Sequence, residues 1–358
     1  MSVVMTAKWM GAAGVATQRK PPPAMFVFGD SLVDYGNNNY LKSLTKANYK
    51  PYGIDFPGHI ATGRYCNGRL VPDFISEFMG AESVSPYLYP NATLQDWERG
   101  VNFASAGAGI LLDTGYLFNE RLVFQKQLSA LLTVRQNLTS GRLGVNGTND
   151  LVSKALFLIN VGSNDYINNY MLPPSLSPRI KKYGLVEYQN LLIGTFRHDL
   201  QALYDAGARK IVVSNLGPIG CIPQQLALWS RNGSCVTHTN RIAFSYNAGL
   251  KNMLQGLRKQ LPDAHFLYMD VYHVVMDHIK SPGLGGFKHR SSACCGAGPF
   301  NGLIICNPFG NLCSNRSEYI FWDAFHPTEA FNSQLAHRVM YGPKEDVSPI
   351  NIQQLLDL

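Results

Sequence analysis

The chain has 358 residues, of which 46% are hydrophobic and 15% charged. This composition is typical of a globular protein and excludes a disordered one. Its formal net charge is +7, but the basic residues are scattered, and no basic stripe with interleaved aromatic residues indicates a nucleic-acid partner. No apolar run of about eighteen residues predicts a transmembrane helix.

The first 23 residues differ in composition from the rest of the chain. Lys8 precedes an apolar stretch over residues 9–16 that is too short and too weakly hydrophobic for a convincing signal peptide. Three consecutive prolines then occupy positions 21–23. We therefore expect residues 1–23 to form a flexible tail or a degenerate leader, and residues 24–358 to form one domain.

Short apolar runs recur along the chain from residue 24 onward, and five of them predict β-strands. They cover residues 24–28, 101–104, 155–161, 210–216 and 265–271. Near-continuous apolar strands need cover on both faces, which is typical of a parallel sheet between layers of helices.

Longer amphipathic segments lie between the later strands. Apolar residues recur at helical spacing over residues 186–206, which end before Gly207, and over residues 237–260, which end before Leu261 and Pro262. Alternating strands and helices give right-handed crossovers and an open twisted sheet. The sequence therefore predicts an α/β fold, a three-layer α/β/α sandwich with about five parallel strands.

The residues directly after the predicted strands are the candidates for chemistry, because an open parallel sheet places its active site beyond the carboxyl ends of its strands. Ser31 follows the first strand, Gly107 the second and Asn164 the third. Asp323 and His326 lie late in the chain, before a predicted helix. We expect the fold to bring these five side chains together.

Ser31, Asp323 and His326 form a candidate serine-hydrolase triad. Ser31 lies on a Gly-Asp-Ser turn, where we expect a helix to start and to place its N-terminus near developing negative charge. Asp323 and His326 are three residues apart, at the entry to a helix that Thr328 would cap. That spacing lets the carboxylate reach the imidazole Nδ1 and leaves Nε2 to face Ser31.

The candidate donors of an oxyanion hole are the backbone N–H of Ser31, the backbone N–H of Gly107 and the side-chain amide of Asn164. Asp30 and Asp34 flank the nucleophile and could pass for metal ligands. No His or Cys cluster accompanies them, so we expect them to hydrogen-bond within the turn. We expect no metal ion and no cofactor.

Two other polar features lie near these candidate residues in the sequence: a run of three asparagines and a further aspartate. Asn37, Asn38 and Asn39 form either a polar loop or part of the wall of a substrate cleft. Asp165 is predicted to be structural.

Seven cysteines leave at least one that cannot pair within the chain. They are Cys66, Cys221, Cys235, Cys294, Cys295, Cys306 and Cys313. The last four crowd into one Gly- and Asn-rich stretch, where a zinc site is the alternative to disulfides. The adjacency of Cys294 and Cys295 is awkward for tetrahedral ligation, so we expect disulfides and a free Cys66.

Five Asn-x-Ser/Thr sequons also favour an oxidising compartment. Their asparagines are Asn91, Asn137, Asn146, Asn232 and Asn315. Together with the cysteines, they lead us to expect an extracellular glycoprotein.

Four ordered blocks carry a resemblance to a known family. They are FVFGDSLVDYGNNNY (residues 26–40), GVNFASAGAGI (100–110), NVGSNDY (160–166) and DAFHPT (323–328). Further matches are NGRLVPDFI (67–75), SNLGPIGCIP (214–223) and the CCG…C region from residue 294. From about residue 24 to 342, the chain resembles the plant GDSL esterase/lipases of the SGNH hydrolase superfamily.

The resemblance implies a flavodoxin-like sheet and a division of labour among the candidates. Ser31 would be the nucleophile and an oxyanion donor together with Gly107 and Asn164, while Asp323 orients His326, the base. The implied activity is hydrolysis of carboxylic esters, either lipid acyl esters or an acetylated polysaccharide, through an acyl-enzyme on Ser31. The alternatives are acyl transfer to an alcohol, and a catalytically silent lipid- or carbohydrate-binding protein on the same scaffold.

Overall fold

The structure, a computed structural model, describes residues 22–173, 175–177 and 182–358. Eleven strands lie within these ranges, and seven of them form the main sheet. The strands are β1 (Met25–Gly29), β2 (Ser85–Pro86), β3 (Gly100–Asn102), β4 (Leu156–Asn160), β5 (Lys210–Ser214), β6 (His265–Met269), β7 (His289–Ala293), β8 (Cys295–Gly296), β9 (Asn311–Leu312), β10 (Tyr319–Phe321) and β11 (Val347–Ser348).

The main sheet has the strand order β11-β6-β5-β4-β1-β3-β2. Strands β1 to β6 pair in parallel, and β11 adds antiparallel to β6 at the far edge. The five predicted strands coincide with β1, β3, β4, β5 and β6, so the predicted parallel α/β sheet is confirmed. The two strands of the main sheet that sequence reasoning missed, β2 and β11, are two-residue edge strands, and the four strands β7 to β10 of the small sheets were not predicted either.

Eleven α-helices lie in the same described ranges, besides short 3-10 and π turns. They are α1 (Val71–Phe78), α2 (Leu94–Glu98), α3 (Phe124–Ser140), α4 (Gly144–Lys154), α5 (Ser163–Asp165), α6 (Leu185–Asp205), α7 (Pro223–Trp229), α8 (Thr237–Gln260), α9 (Val271–Lys280), α10 (Glu329–Tyr341) and α11 (Ile352–Leu356). The two predicted helices correspond to α6 and α8. Their positions could be predicted because, in each, a buried residue returns to the same face about every fourth position.

The helices cover both faces of the main sheet. Phe26 and Phe28 of β1 point to one face, where they join a core that includes residues of α3, α6 and α8. Met25 and Val27 point to the other, where α1, α9 and α10 supply the core. Successive side chains of one strand therefore pack into two apolar cores, one on each face of the sheet, as the predicted three-layer sandwich requires.

Two small sheets lie apart from the main one. Strand β7 pairs in parallel with β10, and β8 pairs antiparallel with β9. Three disulfides join Cys221 to Cys235, Cys294 to Cys313 and Cys295 to Cys306, which leaves Cys66 free and buried. Disulfides and a free Cys66 are thus confirmed, and the zinc alternative for the cysteine-rich stretch is wrong because its four thiols pair with one another.

The expectation that a helix starts at Ser31 is wrong. Residues 31–33 form a turn, and the next helical segment is a short 3-10 turn over Asn37–Tyr40. The carboxylates of the turn explain the difference. Asp30 accepts the N–H of Leu32, and Asp34 accepts the N–H groups of Gly36 and Asn37, so side chains compete for the donors that would begin a helix.

The helix predicted after His326 does form. It is α10, and the hydroxyl of Thr328 accepts the N–H of Phe331 as its N-cap.

The predicted tail or leader over residues 1–23 lies outside the described residues, except for Pro22 and Pro23. The division of the chain into that segment and one domain stays a prediction. Among the residues that the structure describes, we find no helix whose length and apolarity would let it cross a membrane.

Candidate active site

The order of the strands determines where a cleft opens. Strand β1 lies between β3 and β4, so the chain builds the sheet outward in both directions from β1. Ligands of open parallel sheets bind beyond the carboxyl ends of the strands at such a switch point. Residues Asp30 and Ser31, directly after β1, therefore lie at the favoured position.

Ser31, His326 and Asp323 form a continuous hydrogen-bonded chain at this position. The Nε2 atom of His326 lies 2.7 Å from Oγ of Ser31. The Nδ1 atom of the same ring lies 2.8 Å and 2.9 Å from the two carboxylate oxygens of Asp323. Both ring nitrogens are thus within proton-transfer reach of the partners that a nucleophile–base–carboxylate array requires.

The Asp323 carboxylate is buried and fully hydrogen-bonded. Besides the imidazole, its Oδ1 accepts the backbone N–H groups of Phe325 and His326, and its Oδ2 accepts the hydroxyl of Tyr52 at 2.8 Å. Burial alone would raise the pKa of Asp323, but its attraction to His326 and these donors outweigh burial and hold the pKa below its ordinary value. The side chain therefore stays ionised and can orient the imidazole.

His326 is held from the side as well as through its ring nitrogens. Its carbonyl accepts the N–H of Trp322, which closes the short loop after β10. The buried ring of Tyr65 packs against the imidazole with the two ring centroids 4.9 Å apart. These contacts fix the orientation of the ring before any substrate binds.

The turn that carries Ser31 is anchored by a buried glutamine. Gln127 of α3 accepts the N–H of Gly29 through Oε1 and donates through Nε2 to the carbonyls of Gly29 and Leu122. A Cβ atom at Gly29 would lie 2.0 Å from the carbonyl oxygen of Asn160, so only glycine fits where β1 ends. The position of Ser31 is therefore set by the end of the sheet and by α3.

Asp30, next to the nucleophile, has an unusual environment. It is buried, its Oδ1 accepts the N–H of Leu32, and its Oδ2 has no hydrogen-bond partner. Burial raises the pKa of Asp30 to about 7, with Asp165 and Asp34 adding repulsion and His326 opposing it. The predicted hydrogen bond within the turn is present, but only one of the two carboxyl oxygens makes it.

Gly107 lies on the loop after β3 that faces Ser31 across the cleft. Its φ is +80°, in the left-handed region, and a Cβ atom there would lie 2.7 Å from the ring of Phe118. Both observations require glycine. Among the described residues, its N–H makes no hydrogen bond, and neither does the N–H of Ser31, so both donors are free to bind a substrate oxygen.

Asn164 is oriented by two partners. Its Nδ2 donates to the carbonyl of Ala108 at 2.9 Å, and its Oδ1 accepts from Nδ2 of Asn168 at 2.6 Å. The first bond uses one of the two amide hydrogens, which leaves the second for the cleft. Asn168 lies on the single π turn Tyr166–Tyr170 that follows α5.

Two buried carboxylates brace the loop that carries Gly107. Asp34 accepts the N–H of Ala106, and Asp165 accepts the N–H groups of Ile110 and Leu111 and the hydroxyl of Thr114. Burial raises the pKa of Asp34 and of Asp165 to about 6 each. The structural role predicted for Asp165 and the hydrogen bonding predicted for Asp34 are both confirmed.

Two residues of the asparagine run, Asn37 and Asn38, hydrogen-bond to the same loop, and Asn39 hydrogen-bonds elsewhere. Asn37 donates to the carbonyls of Asn102 and Ala104, Asn38 donates to the carbonyl of Ala106, and Asn39 donates to that of Thr62. None of the three lines the cleft. Of the two interpretations, the polar loop is confirmed.

The five candidate residues line one cleft of about 660 Å³. Its wall is mostly apolar, with Leu44, Leu117, Ile167, Ile219, Ile305 and Phe325 among the residues that line it. A concave apolar site with a few convergent polar groups is the usual form of a small-molecule site. The polar groups here are a hydroxyl within hydrogen-bond reach of an imidazole and three candidate donors, an arrangement that suits acyl transfer.

Sequence reasoning missed the residues that hold the candidates in place. Asn168 follows Asn164 by four positions, a helical spacing that could have indicated the pair. Tyr52 and Gln127 gave no local signal, since each contacts the site from a distant part of the chain.

Comparison with known proteins places the whole arrangement in a family. Residues 25–339 match the family described as GDSL-like Lipase/Acylhydrolase. The chain is 40% identical to GDSL esterase/lipase 7 of Arabidopsis thaliana, over 99% of this chain and 98% of the relative. It is 42% identical to GDSL esterase/lipase LTL1 of the same species, over 93% of this chain and 91% of the relative. The chain therefore belongs to the GDSL-like lipase/acylhydrolase family.

Proposed function

We propose that this protein hydrolyses carboxylic esters through a covalent acyl-enzyme on Ser31. The observation that carries the proposal is the 2.7 Å contact between Ser31 Oγ and His326 Nε2, with Asp323 on the opposite side of the imidazole. The names of the relatives, which describe esterases and lipases, support the same class of enzyme.

Acylation begins with proton transfer from Ser31 to Nε2 of His326 as Oγ attacks the ester carbonyl carbon. The carbonyl π electrons move onto oxygen and give a tetrahedral oxyanion. His326 then passes the proton to the leaving alkoxide, and the alcohol departs. The ionised carboxylate of Asp323 stabilises the imidazolium that exists between these two transfers.

Deacylation repeats these steps with water. His326 removes a proton from water, hydroxide adds to the acyl carbon, and the collapse of the second oxyanion expels Ser31 Oγ, which regains the proton from His326. The products are a carboxylic acid and free enzyme, so the atoms balance without a cofactor.

Three donors would bind the oxyanion in both steps: the N–H groups of Ser31 and Gly107 and the amide of Asn164. All three residues line the cleft. Loss of one such donor typically costs about 3–4 kcal/mol in the transition state. Asn168 supports this role because it fixes which way the Asn164 amide points.

The test compares hydrolysis of p-nitrophenyl acetate and longer p-nitrophenyl esters by wild type, Ser31→Ala and Ser163→Ala. We expect Ser31→Ala to lower kcat by at least ~10³-fold. Ser163 is the matched control, a second serine that lines the cleft, whereas the hydroxyl hydrogen-bonded to His326 is that of Ser31. Its variant should keep at least half of the wild-type rate.

Covalent labelling provides an independent measurement. A fluorophosphonate should add once per chain, with the mass increase on the peptide that contains Ser31, and should not add to His326→Ala. Equal hydrolysis by wild type and Ser31→Ala, or a label on another serine, contradicts the proposal.

We also propose an extracellular location. Three disulfides and five exposed sequon asparagines support it. The full chain expressed in plant cells should be recovered from the extracellular fluid, and glycosidase treatment should increase its electrophoretic mobility. Retention in the cytosol without glycans would contradict this location.

A further inference from the structure

One long stretch of the chain carries no charge although much of it faces solvent. No Asp, Glu, Lys or Arg occurs between Arg290 and Arg316, in a protein whose net charge is +7. Residues 294–313 within this stretch, which we term the stapled loop, are closed by the disulfides Cys294–Cys313 and Cys295–Cys306. Exposed loops of soluble proteins usually carry charged side chains, so this composition needs a physical reason.

The stapled loop presents large apolar side chains to solvent. Phe309 is 97% exposed and Ile305 is 61% exposed, and Leu303 and Ile304 next to Ile305 are also more than half exposed. The two disulfides and the hydrogen bond from Ala297 N–H to the carbonyl of Ile304 hold these side chains outward. The cross-linked loop therefore exposes apolar side chains to water, whereas a flexible loop could rearrange to bury them.

The stapled loop continues into the cleft. Ile305 is exposed at the surface and also lines the cleft that contains Ser31. On another segment of the cleft wall, Leu44 is 77% exposed and Leu117 is 39% exposed, and both line the same cleft. Leu44 is fixed there by its N–H, which donates to the carbonyl of Phe118. Exposed apolar residues of the cleft wall thus come from more than one segment. We term Leu44, Leu117 and Ile305, together with the exposed Ile304 and Phe309 of the stapled loop, the apolar rim.

We propose that the apolar rim docks onto the surface of aggregated lipid, so that an acyl ester passes from that surface into the cleft without crossing water. The inference rests on the proposed function and specifies the physical form of its substrate. Inserted apolar side chains bind a lipid interface in proportion to the area they bury.

The position of the rim decides between a lipid surface and a protein as its occupant. A protein or a second copy seated on Leu44, Leu117 and Ile305 would cover the entrance and exclude substrate. A lipid surface seated there supplies the substrate itself. Binding to the apolar part of a lipid surface requires no charged side chains on the loop. This agrees with the absence of charged residues between Arg290 and Arg316.

The test measures partition of the full chain into large unilamellar vesicles of phosphatidylcholine. All proteins carry Ser31→Ala, so that no lipid is hydrolysed. The rim variant is Ile304→Ser/Phe309→Ser, and the matched control is Leu132→Ser/Phe244→Ser, which removes one exposed aliphatic and one exposed phenylalanine from helices α3 and α8. We expect the rim variant to bind the vesicles at least about tenfold more weakly and the control to bind within twofold.

A second measurement uses the same pairs of substitutions with Ser31 intact. Hydrolysis of an emulsified triacylglycerol should fall at least about fivefold in the rim variant, while hydrolysis of dissolved p-nitrophenyl acetate should stay within twofold. Unchanged hydrolysis of the dissolved ester also shows that the variant folds. If wild type hydrolyses neither ester, the proposed function fails, whereas the vesicle measurement still tests docking.

Four outcomes would overturn the docking proposal. They are no vesicle binding by the protein with only Ser31→Ala, equal binding by the rim and control variants, loss of binding in 0.5 M salt, and a change of oligomeric state in the rim variant. The salt outcome would assign binding to the net charge, since apolar insertion is not screened by ions. The last outcome would make the rim a contact between copies of the chain.

Discussion

The two halves of the active site are held in place by different physical means. Ser31 lies at the end of β1 in the main sheet, and the loop opposite it is braced by the buried carboxylates of Asp34 and Asp165. His326 lies outside that sheet, on the loop after β10. Strand β10 belongs to a separate two-stranded sheet with β7, beside two disulfides. The first half is braced by hydrogen bonds to buried carboxyl groups, and the second lies beside covalent cross-links.

The structure shows how the cross-links reach the catalytic loop. Cys294 donates its N–H to the carbonyl of Phe321, and Cys295 donates to that of Trp322, directly before Asp323. Both cysteines belong to a small core that also contains Tyr52, Tyr65 and Trp322. A small core stabilises little by apolar burial alone, which explains why two of the three disulfides lie in this half.

The largest expected effect tests the nucleophile half through Asp30. Because burial raises the pKa of Asp30 from 3.8 to about 7, the folded state binds more protons than the unfolded state between about pH 4 and 7. This group therefore lowers the free energy of unfolding as pH rises through that window. Asp30→Asn removes the titration and should gain about 2–4 kcal/mol over wild type between pH 4 and pH 8.

Urea denaturation of both proteins from pH 4 to pH 8 measures this difference. Asp34 and Asp165 titrate in both proteins, and their repulsion with Asp30 makes the difference report the charge of Asp30 together with this coupling. Parallel stability profiles would mean that Asp30 is ionised in the folded protein at neutral pH.

The second effect tests the base half through its cross-links. Removing the disulfide with Cys294→Ala/Cys313→Ala should cost about 3 kcal/mol of stability, since the cross-link closes a loop with a sequence separation of 19. We also expect kcat to fall about tenfold, because the loop before Asp323 loses its support.

The control is Cys221→Ala/Cys235→Ala, whose disulfide has a sequence separation of 14; among the described residues, the backbone hydrogen bonds to Phe321 and Trp322 come from Cys294 and Cys295 and not from this pair. It should lose similar stability in urea and keep its kcat at temperatures where it is folded. An equal fall of kcat in both double variants would indicate general loosening and contradict the distinction between the halves.

The smallest effect concerns Tyr52, a residue of the small core whose hydroxyl donates a hydrogen bond to the carboxylate of Asp323. Tyr52→Phe removes one hydrogen bond to a buried charge, which we expect to lower kcat about tenfold and to leave KM unchanged. Tyr49→Phe is the matched control, because the Tyr49 hydroxyl donates instead to the carbonyl of Cys306. A change in KM alone for Tyr52→Phe would assign this residue to substrate binding.

The main sheet could be predicted because its strands are short apolar runs with both faces buried, as in Phe26, Val27 and Phe28. The edge strands Ser85–Pro86 and Val347–Ser348 could not, because two residues carry no periodicity. The membership of the family, and with it the class of ester hydrolase, is confirmed by the match over residues 25–339.

The site residues that directly follow predicted strands or precede a predicted helix could be predicted from the sequence. Ser31, Gly107, Asn164, Asp323 and His326 lie together in one cleft, as expected. Their supports were not predictable, since Tyr52 reaches Asp323 across 271 positions of sequence and no local pattern marks such a contact. The prediction of a helix at Ser31 was wrong because helix propensities do not include the side-chain carboxylates of Asp30 and Asp34. These carboxylates accept the backbone N–H groups that would otherwise begin a helix.

The separate pairing of β10 with β7 has a consequence for redesign. The stapled loop shares no strand with the main sheet and supplies Ile305 to the cleft wall. It ends shortly before β10, the strand that leads into the segment bearing His326, the proposed base. Lengthening or shortening the segment between Cys295 and Cys306 would alter the entrance while Ser31 and its strand keep their geometry. Variation confined to that segment is thus a route to new acyl-chain preferences that spares the folding of the larger core.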